Sequence, residues 1–420
     1  MNKQTLLFRG PVKSRSGYGS HSRDLLEALY QMDIYDIKID SCLWGNTPMN
    51  ALEKDNKFHK WIVENSVSEF NGLPDIYVQV TVPNEFQRYG KFNIGITAGI
   101  ETTLAPKDWI DGCNRMDLII ATSNFSKDVL LTTVYDEKEK NSDKLVKQHR
   151  IEKPIEVLFE GVDTNIYNNV INPSFELDIK EDFAYLFVGH WLKGNIGQDR
   201  KDVGMLIKTF AETFKDKTEC PALILKTSSA VFSVIERELF RKKIKDILIG
   251  INNPPPIYLL FGDLTNNEMN DLYNHPKIKS MVSITKGEGF GRPLLEFTMT
   301  GKPVIASNWS GHKDFLSMES SVMIGGSLTE VDDSAVDNFI LKGSKWFTAN
   351  YDEFSQVLIL VKEQYDKFLN RSEVLRIENS NKFSLSKMKE VFASLIQSKV
   401  MVPTKVNLIL PKLNKVYDKI

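Results

Sequence analysis

"SITKGEGFGRPLLEFTMTGKPVIASNWSG", residues 283–311, is the stretch from which the rest of the chain can be read. An apolar run at 281–284 leads into Lys286-Gly-Glu-Gly-Phe-Gly291, and a second acid, Glu296, follows Glu288 by eight positions. The run predicts a strand. Pro293 suits the first turn of a helix, where its missing N–H would be unpaired anyway. Leu294, Leu295 and Phe297 supply the helix's buried side, and Gly301 matches the glycine that commonly follows a helix C-terminus. The turn therefore presents Glu288, the amides of Gly289, Phe290 and Gly291, and a helix dipole at one point. A helical rise puts Glu296 ~12 Å from Glu288. That suits the two ends of an elongated ligand. It is too long for two carboxylates sharing one glycosidic bond, which stand roughly 5–9.5 Å apart.

The chain has 420 residues, which favours two domains over one core. Hydrophobic residues make up 42% and charged residues 26%, a globular balance. A net charge of −2 gives the whole molecule no strong pull on nucleic acid or membrane, though a local basic patch stays open. Cys42, Cys113 and Cys220 are few, odd in number and far apart, which fits a reduced, cytoplasmic compartment and no disulfide framework. The opening "MNKQTLLFRG" is too short in apolar residues for a signal peptide. No window approaches the roughly 20 apolar residues of a membrane span. The expectation is a soluble protein, at most peripheral to a membrane.

Twelve short apolar runs are predicted as strands: 5–8, 37–42, 75–80, 93–97, 118–121 and 155–159, then 184–188, 222–226, 257–260, 281–284, 303–306 and 322–324. Many are continuous rather than alternating, as in parallel strands covered on both faces. Helical patterns fall between them, among them 22–31, 126–133, 203–213 and 267–273. This alternation predicts two Rossmann-like, doubly wound α/β domains facing across a cleft. "GVDTNIYNNVINPSFELDIKED", residues 161–182, breaks the periodicity and reads as the linker. The expected division is 1–172 for the first domain and 180–389 for the second, with the tail 390–420 packing back on the first. Ligands of such sheets lie beyond the carboxyl ends of the strands, so the cleft is the expected site.

After the first strand, "RGPVKSRSGYGSHSRDLLEAL" places Gly17, Tyr18 and Gly19 before a helix, with Ser20 or Ser22 as the expected N-cap. Glycines there let backbone approach a ligand, and the helix start favours an anion.

Glu288-x7-Glu296, within "GEGFGRPLLE" and followed by "GKPVIAS", resembles the signature of retaining glycosyltransferases of family 4, which have the GT-B fold. Further segments resemble the family in the same order. They are "SGYGSHSR", "TAGIETTLAPKDWIDGCNRMDLIIATSNFSKDVL", "PIEVLFEGVDTNIY" and "GQDRKDVGMLIKTFAETF". The likeness spans about residues 5–320. It implies a nucleoside-diphosphate sugar as donor substrate. It also implies that Glu296 clamps the ribose, that Glu288 with Gly289, Phe290 and Gly291 holds the sugar hydroxyls, and that Arg200 and Lys201 meet the diphosphate. Lys226 is expected to join them, with Arg292 and the Gly17–Tyr18–Gly19 loop on the donor.

The chain also departs from the family pattern. Gly189 is followed by His190 where many members carry Arg, and "HWLKGNIGQD" lengthens the loop before the Arg-Lys pair. Glu101 stands where many members place a histidine near the sugar. There is no Asp-x-Asp in the chain, the usual metal–diphosphate device of the other large glycosyltransferase fold. Arg200, Lys201 and backbone dipoles are expected to neutralise the diphosphate without an obligatory metal or other cofactor.

The acceptor stays open: a glycan, a lipid-linked sugar, or a hydroxylated base of viral DNA, which would have to be flipped out of a duplex. Residues 136–153, a charged insertion, and the basic helical face 237–245 are candidate contacts for an anionic acceptor. Two alternatives are an epimerase or hydrolase of nucleotide sugars on the same fold, and a non-catalytic binding module.

Overall fold

The computed structural model describes residues 3–139, 143–228 and 233–400. All twelve predicted strands form, in two six-stranded parallel sheets. The first holds β1 (Gln4–Gly10), β2 (Tyr35–Ser41), β3 (Ile76–Val80), β4 (Phe92–Thr97), β5 (Leu118–Ala121) and, after a hairpin of β6 (Tyr135–Lys138) and β7 (Leu145–His149), β8 (Ile155–Val157). The second holds β9 (Ala184–His190), β10 (Ala222–Ser228), β11 (Ile257–Leu260), β12 (Ile278–Ser283), β13 (Val304–Ser307) and β14 (Val322–Ile324). A second hairpin follows, β15 (Gly326–Glu330) with β16 (Lys345–Ala349).

Helices cover both faces of the sheets, as parallel sheets require. The first unit carries α1 (Gly17–Met32), α2 (Lys57–Glu64), α3 (Lys107–Asn114) and α4 (Asn124–Thr132). The second carries α5 (Val203–Phe214), α6 (Val234–Ile247), α7 (Asn266–Asn274), α8 (Arg292–Thr298), α9 (Tyr351–Glu363) and α10 (Tyr365–Lys382). A last helix, α11 (Leu385–Lys399), returns to the first unit. Among the described residues, no helix is long and apolar enough to cross a membrane.

The strand orders decide where a ligand can sit. They are β2-β1-β3-β4-β5-β8 and β11-β10-β9-β12-β13-β14. In each sheet the chain winds one way, returns, and winds the other. The crevice at that reversal, β9 beside β12 in the second sheet, is the topological switch point where open α/β sheets hold ligands.

Two local expectations need correction. The N-cap of α1 is Ser16, whose hydroxyl accepts the Gly19 N–H at 3.0 Å; Ser20 and Ser22 already lie inside the helix. A helix can begin this early because Gly19 has no Cβ to strike the Ser14 carbonyl. Glu288 also lies outside α8, which starts only at Arg292, after Gly291 at φ +96°. The helical-rise estimate of the Glu288–Glu296 spacing therefore holds for half of that stretch.

The charged stretch 136–153 forms most of the β6–β7 hairpin, which packs on α3 through the buried His149. His149 meets Asp111 at 3.2 Å and Glu137 at 2.7 Å. The basic face of α6 is partly neutralised. Arg237 and Arg241 both pair with Glu238, and the Lys243 ammonium lies 5.2 Å from the centre of the Trp191 ring.

The chain crosses back at Phe383 and Leu385. There Val162 N–H donates to the Phe383 carbonyl at 2.9 Å, and Leu385 N–H donates to the Val162 carbonyl at 2.7 Å. Met388, Phe392 and Ile396 of α11 are fully buried in the first core beside Leu25, Leu26 and Leu29 of α1. Each such side chain contributes roughly 1.5–3 kcal/mol, so the return is held by apolar burial. The stretch after Pro403 lies outside the described residues.

A Cβ on Gly161 would stand 2.5 Å from Leu385 Cα and 3.0 Å from Met388 Cβ. Gly161→Ala is therefore expected to lower the stability of the chain by about 1–3 kcal/mol, read as a lower urea midpoint with an unchanged slope.

Candidate active site

Two loops flank the β9/β12 switch point: 191–202 after β9 and 284–291 after β12. Buried polar contacts fix the first loop. Asp199 Oδ1 accepts the Val203 N–H at 3.2 Å at the start of α5, and Asp202 takes a left-handed conformation at φ 55°. The Asp202 carboxylate accepts from Tyr351 Oη at 2.7 Å and faces Lys286 Nζ at 3.3 Å. Lys286 is wholly buried, with Thr348 Oγ1 at 3.1 Å and the Trp346 ring centre at 5.7 Å. A buried pair of this kind is costly to break from one side, because the remaining charge is stranded. The loops are then joined directly, the Arg200 carbonyl accepting from Lys286 N–H at 2.8 Å and Thr285 Oγ1 at 3.2 Å.

This framework turns Arg200 and Lys201 onto Glu288. Lys201 Nζ pairs with Glu288 Oε1. Arg200 Nη1 lies 3.5 Å from Glu288 Oε2, 3.6 Å from Glu101 Oε1, and donates to the Gly287 carbonyl at 3.0 Å. Three of the expected residues thus meet at a carboxylate that is 7% exposed, with Glu101 reaching in from the first unit. Burial alone would raise the Glu288 carboxyl. The charges of Lys201 and then Arg200 outweigh it and hold the pKa at about 2.

Glu296, 8% exposed, belongs to a second cluster centred on Arg292. The Arg292 guanidinium donates to Glu296 at 3.0 Å and to Asp24 of α1 at 2.7 Å, with Glu160 at 3.9 Å. Burial pushes Glu160 up to about 7; Arg292 opposes this, while Asp24 and the two other glutamates add to it.

The glycines of the motif serve close packing between the units. A Cβ on Gly287 would collide with the Glu101 carbonyl, and one on Gly289 with the Ala98 carbonyl. The Gly289 carbonyl accepts from Ser123 Oγ at 2.6 Å and Ser126 Oγ at 3.3 Å. Thr103 and Lys345 exchange hydrogen bonds at 2.8 and 2.9 Å, and Arg15 pairs with Asp263 at 2.6 Å. Both walls of the cleft are therefore in contact.

The other expected residues divide. The Phe290 side chain is core, packed 5.1 Å from the Phe315 ring, so only its backbone is available to a ligand. Among the described residues, the N–H groups of Gly289, Phe290 and Gly291 donate to no protein acceptor. His190 is exposed at the end of β9, within electrostatic range of Lys201, Arg200 and Lys226. Lys226 donates to the Gly262 carbonyl at 2.5 Å. Tyr18 stacks on Trp44 at 4.2 Å, and its hydroxyl accepts the Ala98 N–H at 3.0 Å. Gly17 has open space around its Cα, whereas Gly19 is packed.

Sequence reasoning missed Asp24, Glu160 and Lys286. Lone charges in a helix or loop look the same whether solvated or buried, and only the fold brings these together.

No protein-family model matches the chain, and no curated protein matches it in sequence. Solved structures match its fold over most of its length. Anabaena HepE in complex with UDP-glucose superposes with a TM-score of 0.58 at 13% identity, covering 94% of this chain and 100% of that one. A glycosyltransferase from Rickettsia africae gives 0.60 at 17% identity, covering 95% and 99%. Sucrose-phosphate synthase from Thermosynechococcus elongatus gives 0.62 at 11% identity, covering 94% and 99%. At these identities the shared property is the fold: two Rossmann-like domains facing across a cleft, the GT-B architecture.

The raised Glu160 pKa has a definite sign. The folded chain binds a proton there that the unfolded chain has lost, so the stabilisation is full below the ordinary Glu value near 4.5 and is lost as pH rises through about 7. The melting temperature is expected to fall more steeply from pH 5 to 7.5 in the wild type than in Glu160→Gln. Parallel profiles would place the proton elsewhere.

Proposed function

We propose that the chain is a retaining glycosyltransferase of the family 4 type. It moves a sugar from a nucleoside-diphosphate donor to an acceptor hydroxyl, with Arg200 and Lys201 supplying the positive charge that a metal supplies elsewhere. The observation that carries this reading is the pair of partly buried cations, 14% and 11% exposed, held on Glu288 at the switch point of the second sheet. The fold matches to HepE, solved with UDP-glucose, and to sucrose-phosphate synthase support it.

In this reading the donor lies across the mouth of the second sheet. Its diphosphate takes the charges of Arg200 and Lys201, freeing Glu288 to accept from the sugar hydroxyls beside the amides of Gly289, Phe290 and Gly291. Glu296 leaves Arg292 to accept from the ribose hydroxyls at the other end. The bond between the anomeric carbon and the diphosphate oxygen breaks, and its electron pair leaves with the phosphate. The acceptor oxygen bonds to the same carbon on the same face, and its proton passes to the departing phosphate oxygen. The protein contributes position and fixed charge, which act strongly in a site closed to water. Glu101, on the first domain beside Arg200, faces the acceptor side. The acceptor hydroxyl is that of a glycan, a lipid-linked sugar or a hydroxylated DNA base.

Arg200→Ala, Lys201→Ala and Glu288→Ala are each expected to lower turnover on the order of 10²–10³-fold with the fold intact. Glu296→Ala should chiefly weaken nucleotide binding. Hydrolysis of UDP-sugars and GDP-sugars by the purified protein, followed by product chromatography, provides the readout. Wild-type rates in all four variants would end the assignment.

A further inference from the structure

One face of α1 is turned towards the second domain, and two contacts fix its direction. At one end the Tyr18 hydroxyl holds the Ala98 N–H at 3.0 Å, and Ala98 packs its carbonyl against Gly289. At the other end Asp24 accepts from Arg292 at 2.7 Å. His21 is three residues from each, so it shares their face and stands between them. The Arg292 charge, at the end of the turn that follows Gly289, acts on its ring.

His21 is 2% exposed, and neither ring nitrogen has a protein partner. Burial, and then the charge of Arg292, push its pKa down to about 3, so the ring is neutral, with one N–H donor and one acceptor. Buried polar groups are normally hydrogen-bonded, and an exception calls for a reason. Packing does not supply one, since a phenylalanine would fill the space without the unpaired nitrogens. The neighbouring carboxylates of Asp24, Glu160 and Glu296 already surround the Arg292 guanidinium.

We infer that His21 is a donor-contacting residue contributed by the first domain, its ring N–H placed to bond a phosphate oxygen of the nucleoside-diphosphate sugar. This rests on the donor reading above. With the sugar at Glu288 and the ribose at Glu296, the stretch between them is the diphosphate, and His21 stands between the two α1 contacts that border it. Its anionic oxygens are acceptors that the local carboxylates, engaged with Arg292, do not replace. The contact exists only when the domains are together, so His21 reports closure over the donor.

The test uses the full chain with His21→Phe and His21→Gln. The probes are UDP, GDP and ADP by calorimetry, the matching nucleosides as controls, and melting temperature without ligand. The inference expects His21→Phe to keep or raise the ligand-free melting temperature. It expects the diphosphate that the wild type prefers to bind about tenfold or more weakly, with nucleoside binding unchanged and Gln in between. Wild-type diphosphate affinity in both variants overturns the inference while leaving the donor reading in place. So does a lowered ligand-free melting temperature in both, which assigns His21 to packing. If the wild type binds no nucleoside diphosphate, the donor reading fails and takes this inference with it.

Discussion

A carboxylate with almost no access to water stays ionised only if the protein brings charge to it. Glu288 is such a group, and much of the second domain around the switch point follows from keeping it charged. Lys201 and Arg200 do this directly. They are in place because Asp199 starts α5 and because Asp202, Lys286 and Tyr351 lock the loop that carries them. The arrangement is costly in desolvation and gains little net stability, as buried ion pairs generally do. Its value lies in what it can exchange. In the proposed reading, an incoming diphosphate offers the same two cations a partner of higher charge, and the acid is then released for hydroxyl groups.

The same logic recurs at Glu296, where Arg292 serves as the holding cation and the first domain supplies Asp24 and Glu160. Each acid of the pair is thus tied into an ion cluster that crosses the domain contact. The glycines between them keep the two backbones close enough for those clusters to close. One short motif therefore carries both the proposed ligand groups and the surface on which the domains meet. The return of α11 onto the first core ties the two units together through the second of their chain crossings.

Much of this was legible in the sequence. All twelve sheet strands could be seen because a strand covered on both faces must be apolar throughout, and parallel crossovers leave helical patterns between them. The two hairpins were not, since β6 and β15 are short, exposed strands whose charged and small residues carry no apolar period. Glu288, Arg200 and Lys201, expected from the resemblance to serve one donor, lie against one another in the structure. The start of α1 was misread because Ser16, Ser20 and Ser22 are equivalent as caps until the steric demand at Gly19 is known. Asp24 and Glu160 had no local signal; their surroundings are made by residues more than a hundred positions away.

The central claim is that an activated sugar enters between the two ion clusters and takes their charges. A crystal structure of the protein soaked with UDP-glucose, or with whichever nucleotide sugar stabilises it most, tests this most directly. The account predicts the diphosphate against Arg200 and Lys201, with Glu288 on the sugar, Glu296 on the ribose, and both glutamates withdrawn from their present partners. A bound donor lying elsewhere, with Lys201 still on Glu288 and Arg292 still on Glu296, would contradict it.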